Sequence, residues 1–316
     1  MFLLSVLLAC HPHVTVSYLE PAAVTLPPDF TELAVIDREQ SDHSVMVAGA
    51  LRGELYESTR LELVDEDAVD AAVRAVDVTR PGALSAASAG ALCQKSGANG
   101  LALLDSTGVQ KRDAVTVRDK TVEVKGKTTT VPVYTVTRTI DADASFSLQR
   151  CDGDVLDIKS VDASEQLSAS GRTESAARGA LADDTQLIVD ALSKLGASYA
   201  THIVPTWADT SRPYFRNGHP DLTAGHEALQ AQELAKAQKL WTRVWDTSDD
   251  DKERGRAAFD LAVLSEISGD IKVALQWAKQ AKKLLGEPPI VATYLATLRQ
   301  RKVLDKVVGA QMEMEP

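Results

Sequence analysis

The chain has 316 residues, 44% hydrophobic and 25% charged, with 5% aromatic, three cysteines and a formal net charge of −11. That balance supports two modest cores and excludes a collagen-like repeat, a disulfide-dense mini-scaffold and a mostly disordered chain. The acidity argues against charge-driven nucleic-acid binding, which needs clustered Lys and Arg, and no run of ~20 apolar residues offers a membrane-spanning helix. The charge is uneven. Residues 1–109 hold 15 acidic against 6 basic side chains, whereas Lys111, Arg112, Arg118, Lys120, Lys125 and Lys127 make one stretch locally basic.

Residues 1–10 read Met-Phe-Leu-Leu-Ser-Val-Leu-Leu-Ala-Cys, an apolar run of export-signal length. Its end, Leu7-Leu8-Ala9-Cys10, resembles the lipobox of bacterial lipoproteins. The resemblance implies a diacylglycerol on the Cys10 sulfur, cleavage of the signal peptide just before it, and further acylation of the new terminus. Several acyl chains make a stable anchor where one is marginal. His11 after the cysteine, in place of Asp, implies an outer-membrane lipoprotein facing the periplasm. Residues 11–30, with Pro12, Pro21, Pro27 and Pro28, are then expected to be a flexible tether.

Residues 31–205 read as an α/β domain. Leu33–Ile36, Leu61–Val64 and Leu101–Leu104 are short apolar runs suited to buried strands. Val45, Ala48, Leu51 and Leu55 follow helical spacing; Asp65-Glu-Asp67 starts a second helix, and Ser85–Ser96 is a third, ended by Gly97. Pro81-Gly82 breaks the chain between them. Residues 114–124 and 128–140 then flank Lys125-Gly126-Lys127 as a long hairpin, and Ala144–Cys151 with Val155–Val161 flank Asp152-Gly153 as another. Glu174–Leu195 is expected as one long helix stopped by Gly196. The fold class is therefore α+β or α/β, a mixed sheet with packed helices and long hairpins. Cys93 and Cys151 could pair in an oxidising envelope or remain separate buried thiols.

This order of elements resembles the envelope-lipoprotein superfamily that contains the curli-secretion channel protein and the penicillin-binding-protein activators. The resemblance covers about residues 30–205 and implies fold and compartment more than activity.

Residues 206–316 turn helical. Leu261-Ala262, Gly269-Asp270, Ala274 and Ala281 resemble a tetratricopeptide repeat: a Leu-small pair on one helix, a tight turn, then small residues where helices touch. An earlier copy carries Gly225, Ala237 and Trp241; its turn at Gln232-Glu233 lacks glycine, so one continuous helix is an alternative there. Thr206-Trp207, Arg212, Tyr214 and Gly218 ahead of these helices also resemble a family of bacterial envelope lipoproteins ending in such repeats. The resemblance implies a concave groove for a protein partner. By helical position Arg256, Phe259, Val263 and Glu266 would line it, with His219 and His226 on the matching face of the first copy.

No catalytic constellation emerges. His226-Glu227 begins like the zinc-protease motif but has Gln230 at the second ligand position. Ala86-Ala-Ser88-Ala-Gly90 lacks the first glycine of a nucleophile elbow. His11-Pro-His13 reads as tether, Asp183-Asp184 as a helix start, and Trp207, Trp241, Trp245 and Trp277 as packing residues. The expectation is a non-enzymatic lipoprotein without cofactor or metal, held at the membrane by its lipid. It would bind protein partners in the cell envelope, and no nucleic acid, as an adaptor or assembly subunit. The rivals are a secretion-channel subunit and a hydrolase with a non-standard site.

Overall fold

A computed structural model describes residues 11–78, 82–124 and 126–312. The lipidation expected at Cys10, the Pro81 break and Lys125 lie outside the described residues. In chain order the elements are β1 (His13–Glu20), β2 (Glu32–Asp37), α1 (Asp42–Tyr56), β3 (Glu62–Leu63), α2 (Glu66–Ala75) and α3 (Ala86–Ser96). Three long strands follow, β4 (Gly100–Val124), β5 (Lys127–Arg150) and β6 (Val155–Gly171), then α4 (Glu174–Gly179), α5 (Thr185–Ile203) and β7 (Thr206–Pro213). The chain ends in α6 (Pro220–Gln230), α7 (Leu234–Thr247), α8 (Asp251–Ile267), α9 (Ile271–Leu285) and α10 (Pro289–Met312). The α+β class expected from sequence, with its helical C-terminal region, is what the chain forms.

Two compact units divide the chain, one containing residues 22–205 and the other joining the residues up to Pro21 to Thr206–Ala310. Residues 11–30 are therefore no tether. His13–Glu20 reads polar and apolar in alternation and pairs antiparallel with β7 along its whole length. Farther along, Leu26 and Phe30 are buried in the α/β core. Prolines at positions 12, 21, 27 and 28 bracket these segments without interrupting a ladder.

The α/β unit is a five-stranded mixed sheet in the order β3-β2-β4-β5-β6. β2 lies parallel to β3 and β4, and the long strands run antiparallel. Both faces of β2 are covered, which is why it reads as a continuous apolar run. Leu33 and Val35 meet α1 and α5, while Ala34 and Ile36 meet α2 and α3. Cys93 on α3 and Cys151 beyond β5 are joined in a disulfide with their Cα atoms 5.8 Å apart, so the open question of their pairing is resolved. The apolar run Leu101–Leu104 and the hairpin arm 114–124 prove to be parts of one strand, β4, which passes a bulge between Leu104 and Ser106. Likewise 128–140 and 144–151 belong largely to the single strand β5.

The long helix expected over Glu174–Leu195 is two helices, and Gly196 sits inside the second. A Cβ at Gly196 would stand 2.4 Å from the Val47 carbonyl oxygen and 2.6 Å from the Leu51 nitrogen, so the glycine permits close approach of α5 to α1. It is a contact residue, not a stop.

In the helical unit α6–α7 and α8–α9 form two helix pairs, and α10 completes the core. Leu261, Ala262, Ala274 and Ala281 are all buried, as close helix packing requires. After α8 the chain closes a double-bonded turn: Asp270 N–H donates to Ser265 O and Gly269 N–H to Glu266 O, with Gly269 at φ +79°. Asp270 then caps α9 by accepting from the Val273 N–H at 2.9 Å. The turn after α6 has the same pair of bonds, Glu233 N–H to Ala228 O and Gln232 N–H to Leu229 O, but places Gln232 at φ +60°. Two helices thus stand where one continuous helix was an alternative, and a non-glycine residue bears the left-handed conformation.

Candidate functional site

Of the four expected groove residues, three are covered by the chain itself and Arg256 stays half-buried. Phe259 and Val263 are fully buried and Glu266 nearly so. Phe259 packs edge-on against Phe215, with ring centroids 5.2 Å apart, and at 5.0 Å from Tyr294 of α10. Arg212, at the end of β7, donates from Nε and Nη2 to the two Glu266 carboxylate oxygens, each at 3.0 Å, and Tyr294 Oη donates to the same group at 2.9 Å. Arg256 reaches back to the Asn217 carbonyl at 2.7 Å and lies over the Phe215 ring. Phe259, Val263 and Glu266 therefore do not line an open groove: Phe215 and Tyr294 cover Phe259, Arg212 and Tyr294 cover Glu266, and Val263 lies in the core.

That inner segment is held by buried polar groups. The Phe215 N–H donates to Asp260 Oδ1 at 2.7 Å, and Asp260 is entirely buried with its Oδ2 unpartnered among the described residues. Burial pushes the Asp260 carboxyl well above the usual carboxylate range, opposed by its bond to Phe215 and by Arg256. Tyr214 Oη stands 2.6 Å from His226 Nδ1 and accepts from Gln230 Nε2 at 3.0 Å. His219 caps α6, its Nδ1 accepting from the Asp221 N–H at 3.0 Å. Both histidines are thus structural partners. Among the described residues no group of three or more His, Cys, Asp or Glu is placed to hold a metal ion.

The tryptophans separate. Trp241 is buried, and Trp245 and Trp277 meet edge-on at 5.2 Å. Trp207, expected to pack, is 71% exposed, because it points outward from the two-stranded β1–β7 ribbon opposite Leu19.

In the α/β unit, a cleft of about 420 Å³ opens at the carboxyl end of β2, between α1 and α2. Its polar groups are mostly engaged in building the fold. Asp37 accepts from the Glu39 and Gln40 N–H groups and from Ser44 Oγ, while Arg52 donates to the Val35 carbonyl at 3.0 Å and pairs with Glu66 at 3.1 Å. The Ser44 hydroxyl beside Asp37 is fully buried in the cap of α1 and does not line the cleft.

What the α/β unit leaves open is an arm. β6 stops pairing with β5 at Tyr134, so residues 118–124 and 127–133 continue as a two-stranded ribbon covered by no further strand among the described residues. At ~3.3 Å per residue it projects roughly 20 Å. At its root the charges are matched: Lys111 pairs with Asp184, Arg112 with Asp141, and Arg138 with Asp113. The Arg138 guanidinium holds the Asp113 carboxyl below the usual carboxylate range. Toward the tip Arg118, Lys120 and Lys127 make no ion pair among the described residues. The register assigns them one face, opposite Val133, Val131 and the chain turn, whereas Asp119 and Glu123 share the other face with Val117 and Tyr134. The basic stretch seen in sequence is therefore a ribbon with a basic face and an acidic one. Alternation along β4 separates Arg118 and Lys120 from Asp119 and Glu123, and the register adds Lys127 to the basic face.

The family described as Domain of unknown function (DUF6340) matches residues 223–305, which lie within the helical unit. No curated protein matches the chain. Among solved structures, the PelC dodecamer from Paraburkholderia phytofirmans is similar at 11% identity over 61% of this chain and 99% of that one, with a TM-score of 0.21. A likeness that weak carries no argument about this chain.

Proposed function

We propose that this chain is a lipid-anchored protein of the bacterial cell envelope, at the outer membrane and facing the periplasm, acting as a non-enzymatic adaptor or assembly subunit. The lipobox-like Leu7–Cys10 supports the anchor, and the Cys93–Cys151 disulfide suits an oxidising compartment. The observation that carries the partner-binding part is the arm, whose two faces and outer edges are uncovered while the concave face of the helices is filled. Its charged side chains are the kind that keep an exposed edge from pairing indiscriminately, which favours a selected partner.

Crosslinking in the native envelope tests this reading. A partner should be captured by wild-type protein and lost when Arg118 and Lys120 are changed to Glu, with folding unchanged. Equal capture by both would contradict it. For the anchor, labelled palmitate should enter wild-type protein and not Cys10→Ser.

A second reading is favoured by the opposite charge of the two arm faces: a basic face can pack on the acidic face of the next copy, a heterologous contact that makes a ring where its rotation closes and a filament where it does not. Here the partner captured would be the chain itself. Reversing Asp119 and Glu123 to Lys should then restore assembly to the Arg118→Glu, Lys120→Glu protein.

A further inference from the structure

The helical unit carries a second pocket, of about 460 Å³, at the end of the chain nearest position 10. It is lined by apolar Phe215, Leu284, Leu285 and Ile290 together with half-buried Arg256 and, at its exposed side, Lys252. No carboxylate lines it. The acids close to it in sequence are engaged elsewhere: Asp251 faces Arg254 at 3.3 Å, Glu253 accepts from Ser248 at 2.7 Å, and Glu287 pairs with Lys282. Lys252 is exposed and makes no ion pair among the described residues.

The wall of this pocket is completed by His11, whose ring stands edge-on to Phe215 at 5.0 Å. The next residue, Pro12, accepts the Tyr214 N–H at 3.0 Å, and β1 begins at His13. So the residue after Cys10 is already part of the folded unit. With consecutive Cα atoms ~3.8 Å apart, a lipid on Cys10 would hold this pocket within one headgroup layer of the bilayer.

We propose that the pocket receives the headgroup of an anionic phospholipid of the membrane surface, with its phosphate at Lys252 and Arg256 and its first acyl carbons on Leu284, Leu285 and Ile290. The helical unit would then lie on the bilayer instead of hanging from it. The location rests on the lipid-anchor reading; the chemistry of the pocket does not. A lining both cationic and apolar matches an anionic amphiphile and disfavours a neutral one.

The experiment uses full-length Cys10→Ser protein, which carries no acyl anchor, with vesicles of phosphatidylglycerol and phosphatidylcholine or of phosphatidylcholine alone. The mixed vesicles should bind more protein, and Lys252→Glu should weaken that binding about tenfold. Lys239→Glu, an exposed charge on α7, should leave it unchanged. A second variant, Leu284→Gln, should weaken binding to mixed vesicles without altering the unfolding midpoint. Equal binding to both vesicle types, or equal losses from Lys252→Glu and Lys239→Glu, would overturn the proposal. Palmitate labelling of wild-type protein separates the two readings, since a failed anchor leaves the vesicle result standing and a failed pocket leaves the labelling standing.

Discussion

The concave face of the helical unit and the arm of the α/β unit are both places where a partner could bind, and they have met opposite fates. The first is filled by residues 212–217, with Tyr214 fully buried and Arg212 locked to Glu266. The second projects beyond β6 with nothing laid on it among the described residues. The lesson is that a repeat pattern specifies how helices pack but not whether their inner face is free. Two helix pairs bury too little on their own, and this chain supplies the missing surface from its own β7 segment and from α10.

Phe259→Ala should destabilise the helical unit by about 3–5 kcal/mol, read as the denaturant midpoint, because it leaves a cavity between Phe215 and Tyr294. Val117→Ser, at the exposed root of the arm, should change that midpoint by less than ~0.5 kcal/mol. Similar costs at the two positions would erase the contrast. Glu266→Gln should cost about 3 kcal/mol, since Arg212 is left buried without its counter-charge. Replacing Cys93 and Cys151 together by Ala should cost the α/β unit about 2–4 kcal/mol through the loop of 58 residues that the bond closes.

Asp260 sharpens the account of the inner segment through pH. Its carboxyl is raised in the folded state, so folding favours the protonated form. The stability that this group gives is fully present below the unfolded carboxylate pKa, ~3.9, and is lost as pH rises toward the raised folded value. Asp260→Asn, which can still accept from Phe215, should therefore raise the unfolding midpoint at pH 8 and match wild type near pH 4. A mutant weaker than wild type at pH 8 would mean that the ionised carboxylate is favoured. The smallest effect belongs to the turn after α6. Gln232→Gly should stabilise by about 1 kcal/mol, because glycine takes a left-handed conformation without steric cost.

Much of the fold was legible where local pattern and tertiary setting agree. The apolar runs at 33–36, 61–64 and 101–104 lie in or beside β2, β3 and β4, and small residues mark the α8–α9 contact. The failures share a cause, which is that their partners are distant in sequence. Strand β1 looks like tether because of the prolines that flank it, although His-Val-Thr-Val-Ser-Tyr-Leu-Glu alternates as a strand does; its partner β7 lies nearly the whole α/β unit away. Gly196 reads as a helix stop until α1 is placed against it. Phe259, Val263 and Glu266 read as groove-lining until residues 212–217 and α10 cover them. The arm was visible as a hairpin whose alternation parts Arg118 and Lys120 from Asp119 and Glu123, but placing Lys127 with the first two needed the register.

The most direct test places a photoreactive amino acid at Val117, exposed at the root of the arm, and in a second protein at Arg216 beside the covered helix face, and irradiates intact cells. The account predicts a discrete crosslinked product from position 117 and none from position 216. A product from position 216 alone would contradict it, because the helical face and not the arm would then be what meets a partner.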